Sequence, residues 1–153
     1  MISFASWRRT LLLSAMMLAA AGMAHAVDEF DLSPEQPARV HAVTNDAAIA
    51  SIPKSFAFVT PGKFTVAISP GGPPLATYAT DAKTVVGADP EYANAIAESL
   101  GLELEIVPVA WIDWPLGLVS GKYDAVISNV GVTEERKQKF DFSTYRRACM
   151  ASS

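Results

Sequence analysis

From residue 63 onward, hydrophobic and polar positions fall into short apolar runs alternating with amphipathic stretches. Phe64 to Ile68 is a β-favouring run, and Ser69-Pro70-Gly71-Gly72-Pro73-Pro74 stops it with a loop. Asp89, Pro90 and Glu91 then form a helix-start signature. Tyr92, Ala93, Ile96, Ala97 and Leu100 recur at helical spacing behind it, and Gly101 supplies the stop. Leu102 to Val109 predicts a second strand, in which Leu102, Leu104 and Ile106 alternate with Glu103 and Glu105. Asp113 is placed to cap a helix over Trp114 to Ser120, with Pro115 in its first turn and Gly121 after its last. Asp124 to Ser128 gives a third strand. The chain then loosens through Asn129, Val130, Gly131 and Val132, and Thr133 is placed to cap a charged helix carrying Arg136.

This β-α-β-α-β order predicts an α/β domain whose strands run parallel with right-handed crossovers. In open sheets of that kind, ligands bind beyond the carboxyl ends of the strands. Three loops leave those ends: Pro70 to Leu75, Ala110 to Ile112, and Ser128 to Arg136. A guanidinium beside free backbone N–H groups matches the two oxygens of a carboxylate. Trp111 offers a flat apolar face, and Asn129 and Gly131 allow close approach of backbone. Each residue has a plainer role open to it: Arg136 as solvated charge, Trp111 as a core seal, Asn129 as a turn former, Gly131 as relief of crowding. Their convergence on one side of a parallel sheet favours a site for an amino acid or a similar small organic acid.

The N-terminus changes the picture of where the protein works. Trp7, Arg8 and Arg9 precede an apolar run from Leu11 to Ala21, and Ala24-His25-Ala26 is a small-x-small triplet. Residues 1–26 therefore read as a cleavable secretory signal, by general secretion rather than the twin-arginine route, and the run is too short for a spanning helix. Removal of Arg8 and Arg9 leaves 10 basic against 16 acidic residues, a charge of −6 in place of −4. An acidic surface disfavours nucleic acid and anionic membranes as partners. Residues 27–62 are acidic, contain prolines and show weak periodicity, with a helical candidate at Asn45 to Ser51 that Pro53 ends. They read as an extension, either lying over the domain or without order. Cys149 is the sole cysteine and His41 the sole histidine after position 26, which leaves no Ser-His-Asp set and no thiol or imidazole cluster for a metal. No cofactor is expected, and no enzymatic activity.

Four segments in order, FTVAISPGGPPL, VVGADPEYANAIAESLG, LELEIVPVAW and GKYDAVISNVGVTEERKQKFDFS, resemble the family 3 solute-binding proteins, the periplasmic receptors of ABC transporters for amino acids and related compounds. The resemblance covers about residues 62–145. It implies a type II periplasmic-binding-protein lobe with helices on both faces of its sheet, periplasmic location, and a membrane permease as partner. It also implies that Arg136 of the Thr133-x-x-Arg136 segment grips the ligand carboxylate while the Gly131 N–H donates to it. Asn129 would offer its carbonyl to the ligand ammonium, and Trp111 would pack on the ligand. Departures from the family pattern are a first loop without an aromatic cover, Gly131 where relatives often carry a hydroxyl, and Ala88 where an aromatic often precedes the helix aspartate. Family members continue from a strand at Asp141 to Ser143 across a hinge into a second lobe, whereas Arg146 to Ser153 shows no such pattern. The expectation is a lobe-one copy with the second lobe missing, binding weakly or not at all. Dehydratase-like and sensor domains share the fold and stand as alternatives, as does a non-functional fragment.

Overall fold

The structure is a computed structural model that describes residues 30–145. The predicted signal at 1–26 and the tail at 146–153 lie outside the described residues. In chain order the elements are α1 (Asp46–Ser51), β1 (Lys63–Ile68), β2 (Thr77–Tyr78), β3 (Val85–Val86), α2 (Ala88–Ser99), β4 (Glu103–Pro108), α3 (Trp114–Val119), β5 (Ala125–Val126) and α4 (Glu134–Lys137).

β1 is the central strand of a parallel sheet ordered β4-β1-β5. It pairs with β4 from Lys63↔Glu103 to Ile68↔Pro108, and with β5 at Val66↔Ala125 and Ala67↔Val126. Burial of all five residues from Phe64 to Ile68 explains the continuous apolar run, because a parallel strand is covered on both faces. The first crossover steps from β1 outward to β4, and the second steps back past β1 to β5. Right-handed connections in opposite directions place α2 and α3 on opposite faces of the sheet.

α2 buries Ala93 and Ala97 against Phe64, Val66, Ile68 and Val85, with Ile127 in the same core. Gly87 opens the helix at φ 128, and a Cβ there would lie 2.6 Å from the Leu75 carbonyl oxygen. That close approach lets Ala88 and Asp89 donate to the carbonyls of Pro74 and Leu75, at 3.0 and 2.9 Å. The first loop is thereby fastened to the start of α2.

Three local expectations are corrected. Asp113 makes no side-chain cap bond to α3: its backbone is helical, at φ −93 and ψ −17, instead of the extended form a capping residue takes, and Pro115 in the first turn has no N–H to offer. The third strand shrinks from Asp124–Ser128 to Ala125–Val126, the residues with partners on β1. Asp141 to Ser143 forms no strand. β2 and β3 form an antiparallel pair that the sequence pattern left unread.

The extension lies along the domain in its described part. Arg39 pairs with Glu91 of α2 at 2.8 Å, His41 meets Glu98 at 2.6 Å, and the Asn45 N–H donates to the Ser99 carbonyl at 2.8 Å. Glu98 also accepts from the Ala42 N–H at 2.6 Å, and its carboxyl is held down at about 2, chiefly by the His41 contact and then by this N–H. Asp124 binds both ends of a second join, accepting from the N–H groups of Val59 and Thr65 at 2.8 Å each.

Candidate ligand site

Two hollows share Trp111 as a wall, and the first of them opens at the carboxyl ends of the strands. The first, about 560 Å³, is lined by Ser69 and the Gly71-to-Ala76 loop after β1, Trp111 after β4, and Ser128 and Asn129 after β5, with Asp89 of α2. All three loops expected to converge therefore do so. Ser128 ties two of them together, its Oγ accepting from the Ser69 N–H at 2.9 Å. Asn129 turns the chain at φ 52, a left-handed conformation that asparagine tolerates better than most residues.

The second hollow, about 620 Å³, shares Trp111 and adds Ile112, Trp114, Leu116, Glu135, Arg136, Lys139 and Phe140 among its walls. Trp111 borders both and is 46% exposed, so its ring is presented to solvent rather than sealed into the core. Arg136 and Trp111 thus stand on one rim. Gly131 and Thr133 are exposed and line neither hollow; they act on Arg136 instead.

Thr133 takes extended backbone and its Oγ1 accepts the Arg136 N–H at 3.2 Å, which starts α4 with the guanidinium on its first turn. The Arg136 Nη1 donates to the Gly131 carbonyl at 2.8 Å, and its Cζ lies 5.7 Å from the centre of the Trp114 ring. Lys137 pairs with Glu134 of the same helix at 2.8 Å. Arg136 makes no ion pair among the described residues, so its charge and most of its five donors are available to a carboxylate. The Gly131 N–H likewise meets no acceptor among the described residues.

Three residues of this neighbourhood had no local sequence signal for their place. Asp89, read as a helix-start residue, is 1% exposed and accepts from the Tyr145 hydroxyl at 2.8 Å. Trp114, read as the first residue of a helix, is 4% exposed and lies under Arg136. Tyr123 donates its hydroxyl to the Trp114 carbonyl at 2.7 Å. Burial, with the Asp113 charge second, pushes the Tyr123 phenol above its usual range. Among the described residues no group of three or more His, Cys, Asp or Glu could hold a metal ion, and no helix is long and apolar enough to cross a membrane.

A parallel lobe whose three loops meet beyond the strand ends is the architecture of one half of a solute receptor. The chain belongs to the bacterial extracellular solute-binding proteins, family 3, whose pattern matches residues 64–151. It is 35% identical over 83 residues to the L-cystine-binding protein TcyJ of Escherichia coli, which covers 54% of this chain and 31% of the relative. It is 30% identical over 67 residues to the cyclohexadienyl dehydratase of Pseudomonas aeruginosa, covering 44% of this chain and 25% of the relative. Among solved structures it resembles an arginine-bound amino acid ABC transporter substrate-binding protein of Streptococcus pneumoniae. That match has 44% identity and a TM-score of 0.51, over 54% of this chain and 36% of the other. The chain thus spans between a quarter and a third of the length of the curated relatives it matches.

Proposed function

We propose that this lobe takes up an amino acid or a related small organic acid outside the cytoplasm, as the substrate-binding side of an ABC importer. The carrying observation is Arg136, without an ion-pair partner among the described residues and lining a hollow with the half-exposed Trp111. In this reading the guanidinium clasps the carboxylate, the Gly131 N–H adds a second donor, the Asn129 carbonyl receives the ammonium, and Trp111 covers the apolar part. Thr133 orients the arginine through the helix start. The described residues enclose a ligand from one side, and affinity in that state is weak, since well-formed small-molecule sites bury about 70–90% of their ligand.

Delivery to a membrane permease belongs to the same reading and requires a second lobe to close over the ligand. The resemblance to cyclohexadienyl dehydratase supports a second reading, turnover of a cyclic dienyl acid at the same hollows. Binding is favoured over it because Asp89, the buried acid of the first hollow, already accepts from Tyr145. Titration of the isotope-labelled protein with amino acids and organic acids tests the proposal. Shifts at Arg136, Gly131, Asn129 and Trp111 with the substrate unchanged support binding. Conversion of a cyclic dienyl acid would favour the enzyme.

A further inference from the structure

Arginine side chains carry several rotatable bonds, and a guanidinium held in one attitude binds a planar carboxylate better than one that must be ordered on contact. Arg136 is held from two directions. The Gly131 carbonyl takes one donor at 2.8 Å, and the Trp114 ring lies beneath the guanidinium with its centre 5.7 Å from Cζ. The ring itself is locked: it is buried, packs on Phe140 at 5.2 Å and on Trp111 at 6.3 Å, and its residue's carbonyl is tied to the Tyr123 hydroxyl. Tyr123 can approach because Gly117 has no side chain; a Cβ there would overlap the phenol. A line of contacts therefore runs from Gly117 through Tyr123 and Trp114 to Arg136.

We propose that Trp114 is a positioning residue for ligand capture, its indole face fixing the Arg136 guanidinium for the incoming carboxylate. The inference rests on the reading of Arg136 given above. An indole gives the strongest cation–π surface of the aromatic side chains, and the contact leaves the edge of the guanidinium free for in-plane hydrogen bonds. Trp111 contributes differently, since its ring is half-exposed and lines both hollows.

The test pairs a ligand-free measurement with a substitution cycle. In the unliganded protein the Arg136 Nε–H resonance is expected upfield of its random-coil position through the indole ring current, and sharp. A random-coil shift would overturn the proposal. With L-arginine as probe, Trp114→Leu is expected to weaken binding about tenfold, Trp114→Phe by no more than about threefold, and Trp114→Leu to cost nothing further in an Arg136→Ala background. Equal losses for Phe and Leu, or a Leu penalty that persists without Arg136, would mark Trp114 as a structural filler. Should Trp114→Leu fail to fold, the Phe variant and the resonance decide. If Arg136→Ala left L-arginine binding unchanged, the site reading would fall, while the resonance would still judge the positioning contact.

Discussion

Gly117 and Tyr123 are packed so closely that a methyl group on the glycine would occupy the space of the phenol ring. Both residues are buried, and the phenol is pinned by its bond to the Trp114 carbonyl, so the ring has nowhere easy to go. Gly117→Ala is therefore expected to destabilise the fold by about 1–3 kcal/mol despite the better helix propensity of alanine. Denaturant unfolding checks it, and an unchanged midpoint would mean that the tyrosine finds another seat.

Asp124 joins the extension and β1 through two backbone N–H groups. Its removal leaves the Thr65 N–H, on a buried residue, without that acceptor. Asp124→Ala is expected to cost about 1.5–3 kcal/mol for each bond lost, with Asp124→Asn falling between. Hydrogen exchange should quicken at Val59 and Thr65 before the rest of β1.

Glu98 provides a pH test. Its carboxyl is lowered to about 2, so the contribution to stability is fully present above the ordinary value of 4.5 and fades as pH falls toward about 2. The expected outcome is a loss of protection at the Ala42 N–H, relative to its intrinsic exchange rate, over that acid range, and no such loss in Glu98→Gln. His41→Ala should narrow the window, since the His41 contact is the main cause of the lowering.

Gly131→Ser should strengthen carboxylate binding. A Cβ at this position meets only the Arg136 Nη1, at 3.8 Å, an ordinary contact, so the hydroxyl has space beside the guanidinium. A hydrogen bond to a charged group is worth about 1.5–3 kcal/mol, or roughly 10- to 150-fold in affinity. Calorimetry or spectral titration with one amino acid across both proteins would show it.

Legibility in the sequence followed the strength of the local pattern. β1, α2 and β4 were readable because Phe64 to Ile68, the Tyr92 to Leu100 periodicity and the Leu102/Leu104/Ile106 alternation each fix one structure. The two-residue strands β2 and β3 carry too little pattern for that. Convergence of the Pro70, Trp111 and Asn129 loops followed from topology alone, since parallel strands point their carboxyl ends one way. Local pattern could not show that Asp89 would meet Tyr145, 56 positions away, or that Trp114 would lie under Arg136. Both contacts arise from how the crossovers fold back on β1. The placing of Gly131 and Thr133 outside the hollows has a similar cause: α4 is only four residues long, and the turn before it wraps around the arginine instead of facing the strands.

Capture of a carboxylate by Arg136 is tested by titrating the protein beside its Arg136→Ala variant, followed by two-dimensional NMR. Amino acids are expected to perturb Arg136, Gly131, Asn129 and Trp111 in the unmodified protein, and the variant, still folded, to lose the response. Equal affinity in both proteins, or a response confined to residues away from the two hollows, would contradict it.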